Sequence, residues 1–370
     1  MLIGIDGRPF YGSAAGTGRY VAELCRQLDA LLPNARFKVY GNRAMQLPVC
    51  SPRWEVRGDC STLWARLPAS VWYFSRAGRL ARHDGVNLFW GSANFLPMGL
   101  SLRTPAVLTV YDMVHHLYPQ TMSWKHRMAY RLFFQAGLRR ANQLIAISQG
   151  TADRLRQYFG AQVHAIVRPQ ASSSFYPPMP VEMQAVRGKY DLPSRYLLSV
   201  STLEPRKNLV TLVRALMALA QSGRAQELAL VLVGQRGWKN KPLLAQLDIA
   251  RQSGVTIIEV GFVPDADLPA LYAAAVAVVM PSLYEGFGMP ILEALHCGAT
   301  VLASDTPETR EAGGQAATYV SPAAHAWQTA VGQVWREGHT PCAAHCLENL
   351  PPANWQTEGA KLAAAFRQLL

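Results

Sequence analysis

Short apolar runs alternate with longer amphipathic segments along most of the 370-residue chain. The runs that predict buried strands lie at 2–6, 37–40, 86–90, 106–110, 144–147, 163–167, 196–200, 228–233, 256–260, 275–280 and 300–303. The segments between them space their apolar residues as a helix does. This alternation occurs on both sides of a proline- and serine-rich stretch at 168–182, so it predicts an α/β protein with two doubly wound parallel sheets facing a cleft.

The amphipathic segments predict the helices, and the proline-rich stretch predicts the linker between two domains. The predicted helices lie at 19–32, 63–82, 124–141, 150–159, 209–220, 241–251, 268–274 and 355–370. Ser148 is placed to cap the helix that begins at 150. The length suits two domains, which we predict at 1–180 and 181–354, each Rossmann-like.

The composition is that of a globular protein without a membrane span. Half of the residues are hydrophobic, but no apolar run is long enough to cross a bilayer. Asp6 lies where a signal peptide would be apolar, so we expect no secretion. The six cysteines have no framework spacing, which fits a reducing cytoplasm.

The positive charge is concentrated in the first half. Residues 1–188 hold 22 Lys and Arg against 9 Asp and Glu, whereas residues 189–370 hold 14 against 15. No acidic residue occurs between 113 and 152. This asymmetry predicts a polyanionic partner for the first half, and the alternative is a merely soluble basic surface. Aromatic residues beside arginines at 63–82 suit anionic lipid, although a core-packed helix with a charged outer face explains them as well.

A glycine loop with two carboxylates follows the apolar run at 275–280. Gly286 and Gly288 let a ligand approach bare backbone, and a helix opens at Met289. A helix start attracts phosphate, whereas Glu285 and Glu293, which we place in the first helical turn, would repel it. Carboxylates accept hydrogen bonds from vicinal hydroxyls, so the combination predicts a sugar-nucleotide site.

Further polar residues follow predicted strands. Arg206 and Lys207 lie where the strand at 196–200 leads into a helix, and two cations there can neutralise a diphosphate in place of a metal. A glycine loop at 12–18 follows the first strand, which is typical of a Rossmann-like unit but equally of an ordinary loop. Asp112, His115 and the neighbouring His116 follow the strand at 106–110, at the edge where such sheets bind ligands.

Two groups of possible metal ligands have simpler explanations. Asp265 and Asp267 precede a helix, and we interpret them as helix caps. The set His339, Cys342, His345 and Cys346 lacks the spacing of paired zinc ligands. We therefore predict no metal and no other cofactor.

Together these motifs resemble the retaining glycosyltransferases of family 4, which have the GT-B fold. The resemblance rests mainly on 285–293, EGFGMPILE, on LEPRKN at 203–208 and on GTGRY at 16–20. It implies that the helix at 355–370 crosses back to the N-terminal domain, which would bind the acceptor. Many members have His-Asp where this chain has Tyr111 and Asp112, so either Tyr111 takes the histidine's place or His115 supplies the imidazole.

The resemblance also implies the roles of individual residues. Glu285 would contact the donor sugar, Glu293 the ribose, and Arg206 with Lys207 the diphosphate, while Asp112 and His115 complete the catalytic set. The residues implied to bind the donor are Gly16, Gly18, Phe262, Val263, Gly286, Phe287, Gly288, Met289, Leu292 and Glu293.

The implied reaction is metal-independent hexose transfer with retention of configuration. The resemblance favours mannose or D-rhamnose from a GDP-sugar, added to a polyprenyl-diphosphate-linked surface glycan such as O-antigen. It implies a peripheral location on the cytoplasmic face of the membrane, against anionic lipid. A UDP- or dTDP-sugar-dependent transferase and a sugar-nucleotide epimerase are the alternatives. A nucleic-acid partner would explain the charge but not the carboxylates, so none is predicted.

Overall fold

The computed structural model describes residues 1–11, 16–59, 62–223, 226–338 and 354–370. The chain forms two compact units. The first comprises residues 1–113, 124–170 and the C-terminal segment from 353, and the second comprises 114–123 and 171–352. Each unit is a Rossmann-like α/β layer structure, as predicted from the alternation of apolar runs and amphipathic segments.

In the first unit, seven described strands form one parallel sheet in the order β3-β2-β1-β4-β5-β6-β7. The strands are β1 (Leu2–Asp6), β2 (Arg36–Gly41), β3 (Trp54–Gly58), β4 (Leu88–Gly91), β5 (Ala106–Val110), β6 (Gln143–Ala146) and β7 (Ala165–Ile166). Every residue of β4, β5 and β6 is buried. Continuous burial explains why these strands are apolar runs without alternation.

The helices of the first unit begin after the strands. They are Gly16–Leu31, Thr62–Ala65, Ala69–Trp72, Gly78–His83, Trp124–Ala129, Gln135–Arg140, Gln149–Phe159 and Trp355–Arg367. Ser148 caps one of them, since its hydroxyl accepts a hydrogen bond from the Thr151 amide at 3.0 Å, as predicted. The single helix expected at 63–82 is wrong: Pro68 interrupts it, and a π-helical turn occupies Tyr73–Ala77. A second π-helical turn, Tyr130–Phe134, interrupts the helix predicted at 124–141.

The C-terminal helix Trp355–Arg367 packs on Gly16–Leu31 within the first unit. At the crossing, a Cβ on Gly359 would lie 2.3 Å from Cβ of Gln27, so only glycine allows this approach. Glu358 is buried and accepts a hydrogen bond from the Arg168 amide at 2.7 Å. The helix is thereby tied to the end of the sheet.

In the second unit, six described strands form a parallel sheet in the order β10-β9-β8-β11-β12-β13. The strands are β8 (Leu197–Val200), β9 (Ala229–Val233), β10 (Thr256–Gly261), β11 (Ala277–Met280), β12 (Val301–Ser304) and β13 (Thr318–Val320). The helices are Val114–Leu117, Pro180–Lys189, Leu209–Gln221, Lys241–Gln252, Leu268–Ala274, Met289–His296, Pro307–Gly313 and Ala324–Glu337. The carboxyl ends of β8 and β11, which are neighbours, lead into the two loops that carry the predicted site.

Two predictions about local structure are wrong in the second unit. The expected linker at 168–182 overlaps a helix that begins at Pro180, where the Met179 amide donates to the Glu182 carboxylate at 2.7 Å. The side chain of Asp267 does not cap the helix Leu268–Ala274. It instead accepts hydrogen bonds from Lys189 at 2.6 Å and Tyr190 at 2.5 Å, because an ion pair competes better for the carboxylate than a backbone amide does.

Candidate active site

The loop after β8 places Arg206 and Lys207 side by side. Pro205–Lys207 forms one 3-10 turn, and Asn208 then adopts a left-handed conformation with φ of 52° before the next helix begins at Leu209. Asparagine tolerates this conformation better than most residues, and its side-chain oxygen accepts a hydrogen bond from Thr211. The LEPRKN sequence therefore encodes a tight corner that presents two adjacent cations.

Glu285, from the loop after β11, binds both cations. Lys207 Nζ lies 2.6 Å from Glu285 Oε1, and Arg206 Nη1 lies 2.8 Å from Oε2. Arg206 also donates to the Tyr284 carbonyl oxygen, and its own carbonyl accepts from the Leu283 amide at 2.9 Å. The two loops are thus joined through backbone and side chains. The structure therefore brings Arg206, Lys207 and Glu285 together, as the resemblance implied.

Two further residues hold this cluster, and the sequence analysis gave neither a role. Glu204, which is 5% exposed, accepts from Arg206 Nε at 3.0 Å and from Nη2 at 2.6 Å. Ser282, which is 1% exposed, donates its hydroxyl to Glu285 Oε1 at 2.6 Å. Glu204 and Arg206 flank Pro205 in the sequence, but their hydrogen bonds depend on the geometry of the turn Pro205–Lys207.

The cluster contains two carboxylates and two cations, and its electrostatics follow from burial. Burial alone would raise the pKa of Glu285, but the charges of Arg206 and Lys207, with hydrogen bonds from Lys207 and Ser282, lower this pKa to about 2. Burial lowers the pKa of Lys207, and the attraction of Glu285 opposes the shift. Glu285 is thus ionised at neutral pH and holds the lysine in place.

The helix Met289–His296 begins directly after the glycine loop. Gly288 has φ of 111°, a left-handed conformation that side chains rarely adopt, and no side chain caps the helix start. Pro290 lies in the first turn, where its missing amide does no harm. Gly286 and Gly288 carry no side chain, and Phe287 between them is buried.

Glu293 lies in the second turn of this helix, so its predicted place in the first turn is wrong. The helix begins at Met289, and the carboxylate is therefore one turn from the helix start. Glu293 is 1% exposed, and Oε2 accepts from the hydroxyl of buried Tyr272 at 3.0 Å. Leu292 beside it is buried. A buried carboxylate held by a tyrosine has a fixed orientation, which suits the recognition of a diol.

The turn after β10 exposes an aromatic ring. Gly261 has φ of 78°, and its carbonyl accepts from the Gly234 amide at 2.7 Å. The turn directs Phe262 outward, with 57% of the residue exposed, while Val263 is buried. The resemblance implies that both residues bind the donor, and of the two only Phe262 presents its side chain to solvent.

Tyr111, which directly follows β5 in the first unit, makes structural contacts. Its hydroxyl donates to the Ser92 carbonyl at 2.7 Å, and its ring packs edge-on against Tyr20 at 5.5 Å. Asp112 follows it in the same unit, as do Gly16 and Gly18, which begin the helix Gly16–Leu31. The rest of the predicted glycine loop, 12–15, lies outside the described residues.

His115, which follows β5, lies in a short helix, Val114–Leu117. The segment 114–123 belongs to the second unit. Tyr118 stacks on Tyr284 at 6.2 Å, and Trp238 Nε1 donates to the Thr121 carbonyl at 2.7 Å. Burial lowers the pKa of His115 to about 4, and the adjacent His116 adds to the shift. Its imidazole is therefore neutral at neutral pH.

Among the residues that the structure describes, no group of three or more His, Cys, Asp or Glu side chains is arranged to hold a metal ion. The possible zinc ligands His339, Cys342, His345 and Cys346 lie outside those residues. In the described part of the chain, no helix is both long enough and apolar enough to cross a bilayer.

Two family models match the chain, one on each side of the residues around 170. Residues 14–169 match Glycosyltransferase Family 4, and residues 184–334 match Glycosyl transferases group 1. The chain is 34% identical to O-antigen chain mannosyltransferase B of Escherichia coli over an alignment of 375 positions, which covers 96% of each protein. A match of this length includes both halves of the chain.

Solved structures share the fold. WaaG, a glycosyltransferase involved in lipopolysaccharide biosynthesis, superposes with a TM-score of 0.72 at 17% identity, over 99% of both chains. Anabaena HepE, solved in complex with UDP-glucose, gives a TM-score of 0.63 at 17% identity, again over 99% of both chains. The two parallel sheets are therefore those of the GT-B fold, and the chain belongs to the glycosyltransferases of family 4.

Proposed function

We propose that the protein transfers a hexose from a nucleotide-diphosphate donor to a lipid-linked glycan, with retention of configuration and without a metal. The observation that carries the proposal is the buried cluster of Arg206 and Lys207 on Glu285. These cations lie in a loop at the carboxyl end of β8, beside the glycine loop and helix start at Gly288. Positive charge is thus placed where a diphosphate leaving group develops negative charge.

The donor diphosphate would compete with Glu285 for the two cations. Glu204 would keep Arg206 in place during the exchange, because it binds a different edge of the guanidinium. The Glu285 carboxylate, released from the cations, would then accept hydrogen bonds from sugar hydroxyls. Two fixed cations supply the charge that a divalent metal would otherwise provide, so the reaction needs none.

Retention follows in this proposal from attack on the face of the sugar that the diphosphate leaves. The acceptor hydroxyl approaches that face, and the departing phosphate oxygen takes its proton. His115, neutral because burial lowers its pKa, contributes a hydrogen bond near the reaction centre rather than a charge. His115 is the better assignment because the Tyr111 hydroxyl already donates to Ser92.

The favoured donor is GDP-mannose or GDP-D-rhamnose, and the favoured product is a surface polysaccharide such as O-antigen. Support comes from the likeness to an O-antigen chain mannosyltransferase over nearly the whole chain. Phe262 provides an exposed ring for the base. HepE, of the same fold, was solved with UDP-glucose, so a uridine donor is the alternative.

The acceptor would be presented at an anionic membrane surface by the basic helical segment at 124–140. Trp124, Met128 and Leu132 recur at intervals of four residues and are 70%, 45% and 58% exposed. The basic side chains exposed among them are Lys125, Arg127, Arg131 and Arg139. Apolar residues rimmed by cations are the pattern of a surface that lies on anionic lipid.

Flotation with liposomes tests this surface. The protein should float with vesicles containing phosphatidylglycerol and much less with pure phosphatidylcholine, and Trp124→Ser with Leu132→Ser should abolish the difference. The matched control is Ile249→Ser, which removes an apolar side chain of similar exposure, 47%, from the second unit. Equal flotation with both lipids would contradict the proposed membrane surface.

Transfer itself is tested with a panel of UDP-, GDP- and dTDP-sugars and a diphosphate-linked lipid glycan, with products read by mass spectrometry. We expect the acceptor to gain a hexosyl residue from a GDP-sugar. Conversion of the nucleotide-sugar without an acceptor would instead indicate an epimerase. Absence of both reactions with every donor would contradict the proposed function.

A further inference from the structure

Arg8 and Asp6 form an ion pair at the carboxyl end of β1 that the donor site does not use. Asp6 is fully buried, and the side chain of Arg8 is 15% exposed. Arg8 Nη2 lies 2.6 Å from Asp6 Oδ2, and Nε lies 3.0 Å from Oδ1. A buried carboxylate without a partner would destabilise the fold, so the ion pair is held firmly.

Aromatic rings fix the guanidinium from the side. Its central carbon lies 3.7 Å from the centroid of the Tyr73 ring and 5.7 Å from that of Phe95. The Tyr73 hydroxyl donates to the Phe95 backbone carbonyl at 2.8 Å, which holds Tyr73 against the segment that carries Phe95. Cation–π contact and the ion pair together leave Arg8 little freedom to rotate.

The guanidinium has donors to spare. Of its five N–H groups, the one on Nε serves Asp6, and the two on Nη2 serve Asp6 and the Ala93 carbonyl at 3.1 Å. None of the hydrogen bonds that Arg8 forms with described residues involves Nη1, and 15% of its side chain is exposed. The two N–H groups of Nη1 therefore remain for a ligand, on a guanidinium whose position is fixed.

The location is one where ligands bind. Strands β1, β4 and β5 are neighbours in the sheet, so their carboxyl ends meet at one edge. Arg8 follows β1, Asn94 follows β4 and Asp112 follows β5. Asn94 adopts φ of 62° and accepts a hydrogen bond from the Tyr111 amide at 2.7 Å, so this edge is also rigid. Open α/β sheets bind ligands at such an edge.

We propose that Arg8 Nη1 donates to a hydroxyl oxygen of a neutral sugar in the acceptor. Asp6 already neutralises the arginine, so the site offers directed donors without net positive charge. Asp6 is fully buried and cannot move away from the guanidinium as Glu285 is proposed to move from Arg206, so a phosphate would stay beside its negative charge, which disfavours an anion. This assignment rests on the proposed transferase function and names the acceptor group that the first unit reads.

The test uses methyl α-D-mannoside, which has no phosphate or lipid, and its monodeoxy analogues as acceptor probes. Arg8→Lys retains a cation for Asp6 but not the planar fork. We expect this variant to lower kcat/KM for the mannoside by about tenfold or more, because a hydrogen bond from a charged donor is lost. Affinity for GDP, measured by calorimetry, should stay within about twofold of wild type.

The deoxy series separates contact from structural damage. One analogue should be a poor acceptor for the wild type yet lose little further activity with Arg8→Lys, because the partner of its missing hydroxyl is already gone. Arg53→Lys is the matched control: Arg53 pairs with Asp29 and binds the Leu32 carbonyl, just before β3 at the opposite edge of the sheet. It should leave kcat/KM unchanged.

Two results would overturn the assignment. One is an unchanged kcat/KM for the mannoside in Arg8→Lys. The other is that each deoxy analogue lowers kcat/KM, relative to the mannoside, by the same factor in wild type and in Arg8→Lys. Failure of the wild-type protein to transfer to any acceptor would count against the proposed function instead, so the two failures are distinguishable.

Discussion

Lys207 and Glu285, which are 78 residues apart in the chain, form a buried ion pair with Nζ 2.6 Å from Oε1. The pair joins the loop after β8 to the loop after β11. Each buried charge would destabilise the fold if it had no partner, so the lysine and the carboxylate stabilise each other. In the proposed function, the lysine that would bind the donor diphosphate is thus held by the carboxylate that would bind the donor sugar.

Lys207→Ala should lower kcat by about a hundredfold or more, because a preorganised charge at the leaving group is lost. It should also lower the free energy of unfolding, because Glu285 keeps only Arg206 and Ser282 as partners. Steady-state kinetics and urea denaturation measure the two effects. The matched control is Lys189→Ala, which breaks an exposed ion pair with Asp267 and should change neither by much. Turnover within a few-fold of wild type in Lys207→Ala would show that the leaving-group role is wrong.

Ionisation of Glu285 should stabilise the protein in a defined pH range. Its pKa is about 2 in the folded protein and 4.5 for an ordinary glutamate, so the folded state binds fewer protons between these values. The contribution is therefore complete above about pH 4.5 and is lost as the pH falls towards 2. The difference in unfolding free energy between wild type and Glu285→Gln should shrink from about pH 7 to about pH 3. Asp248→Asn, at an exposed site, should show a small difference throughout, and a constant difference for Glu285→Gln would contradict the pKa assignment.

Glu293→Gln should lower the affinity for GDP by about tenfold or more, because a charged acceptor for ribose hydroxyls becomes neutral. Calorimetric titration with GDP measures the change. Tyr272→Phe removes the hydroxyl 3.0 Å from Glu293 but leaves the carboxylate charged, so it should weaken GDP binding less than Glu293→Gln does. If Glu293→Gln binds GDP as tightly as wild type does, Glu293 does not contact the ribose.

His115→Asn should lower kcat by about a hundredfold with little change in donor affinity. The exposed neighbour provides the control, and His116→Asn should be nearly silent. Tyr111→Phe should cost about 1 kcal/mol of stability through the lost bond to Ser92, with kcat nearly unchanged. A larger loss of kcat in Tyr111→Phe than in His115→Asn would assign the role to the tyrosine.

The apolar runs predict the two parallel sheets because parallel strands that are buried on both faces are almost continuously apolar. It missed β3, Trp54–Gly58, whose Glu55 and Val56 are exposed. Half-exposed edge strands lack the continuous apolar signal. The apolar face at 63–82 predicts one continuous helix, but Pro68 interrupts it, because the residue before a proline rarely adopts helical dihedral angles.

The pairing of Arg206 and Lys207 with Glu285 could be expected only in part from the sequence. The order of the elements predicts that the loops carrying Arg206 and Glu285 each follow a strand. That β8 and β11 are neighbours depends on the strand order in the sheet, which cannot be derived from the sequence. Glu204 was visible beside Pro205, yet its hydrogen bonds to Arg206 depend on the turn geometry. The place of the segment 114–123 in the second unit depends on contacts of Tyr118 and Trp238, which no local pattern signals.

Time-resolved proton NMR of the transfer reaction in the presence of EDTA is the most direct test of a metal-independent, retaining transferase. The sample would contain wild-type protein, GDP-mannose, whose sugar is α-linked, and a mannoside acceptor. We predict an α-linked product as the first species formed, at a rate that EDTA does not lower. A β-linked first product would contradict retention of configuration, and transfer that occurs only after a divalent cation is added would contradict independence of a metal.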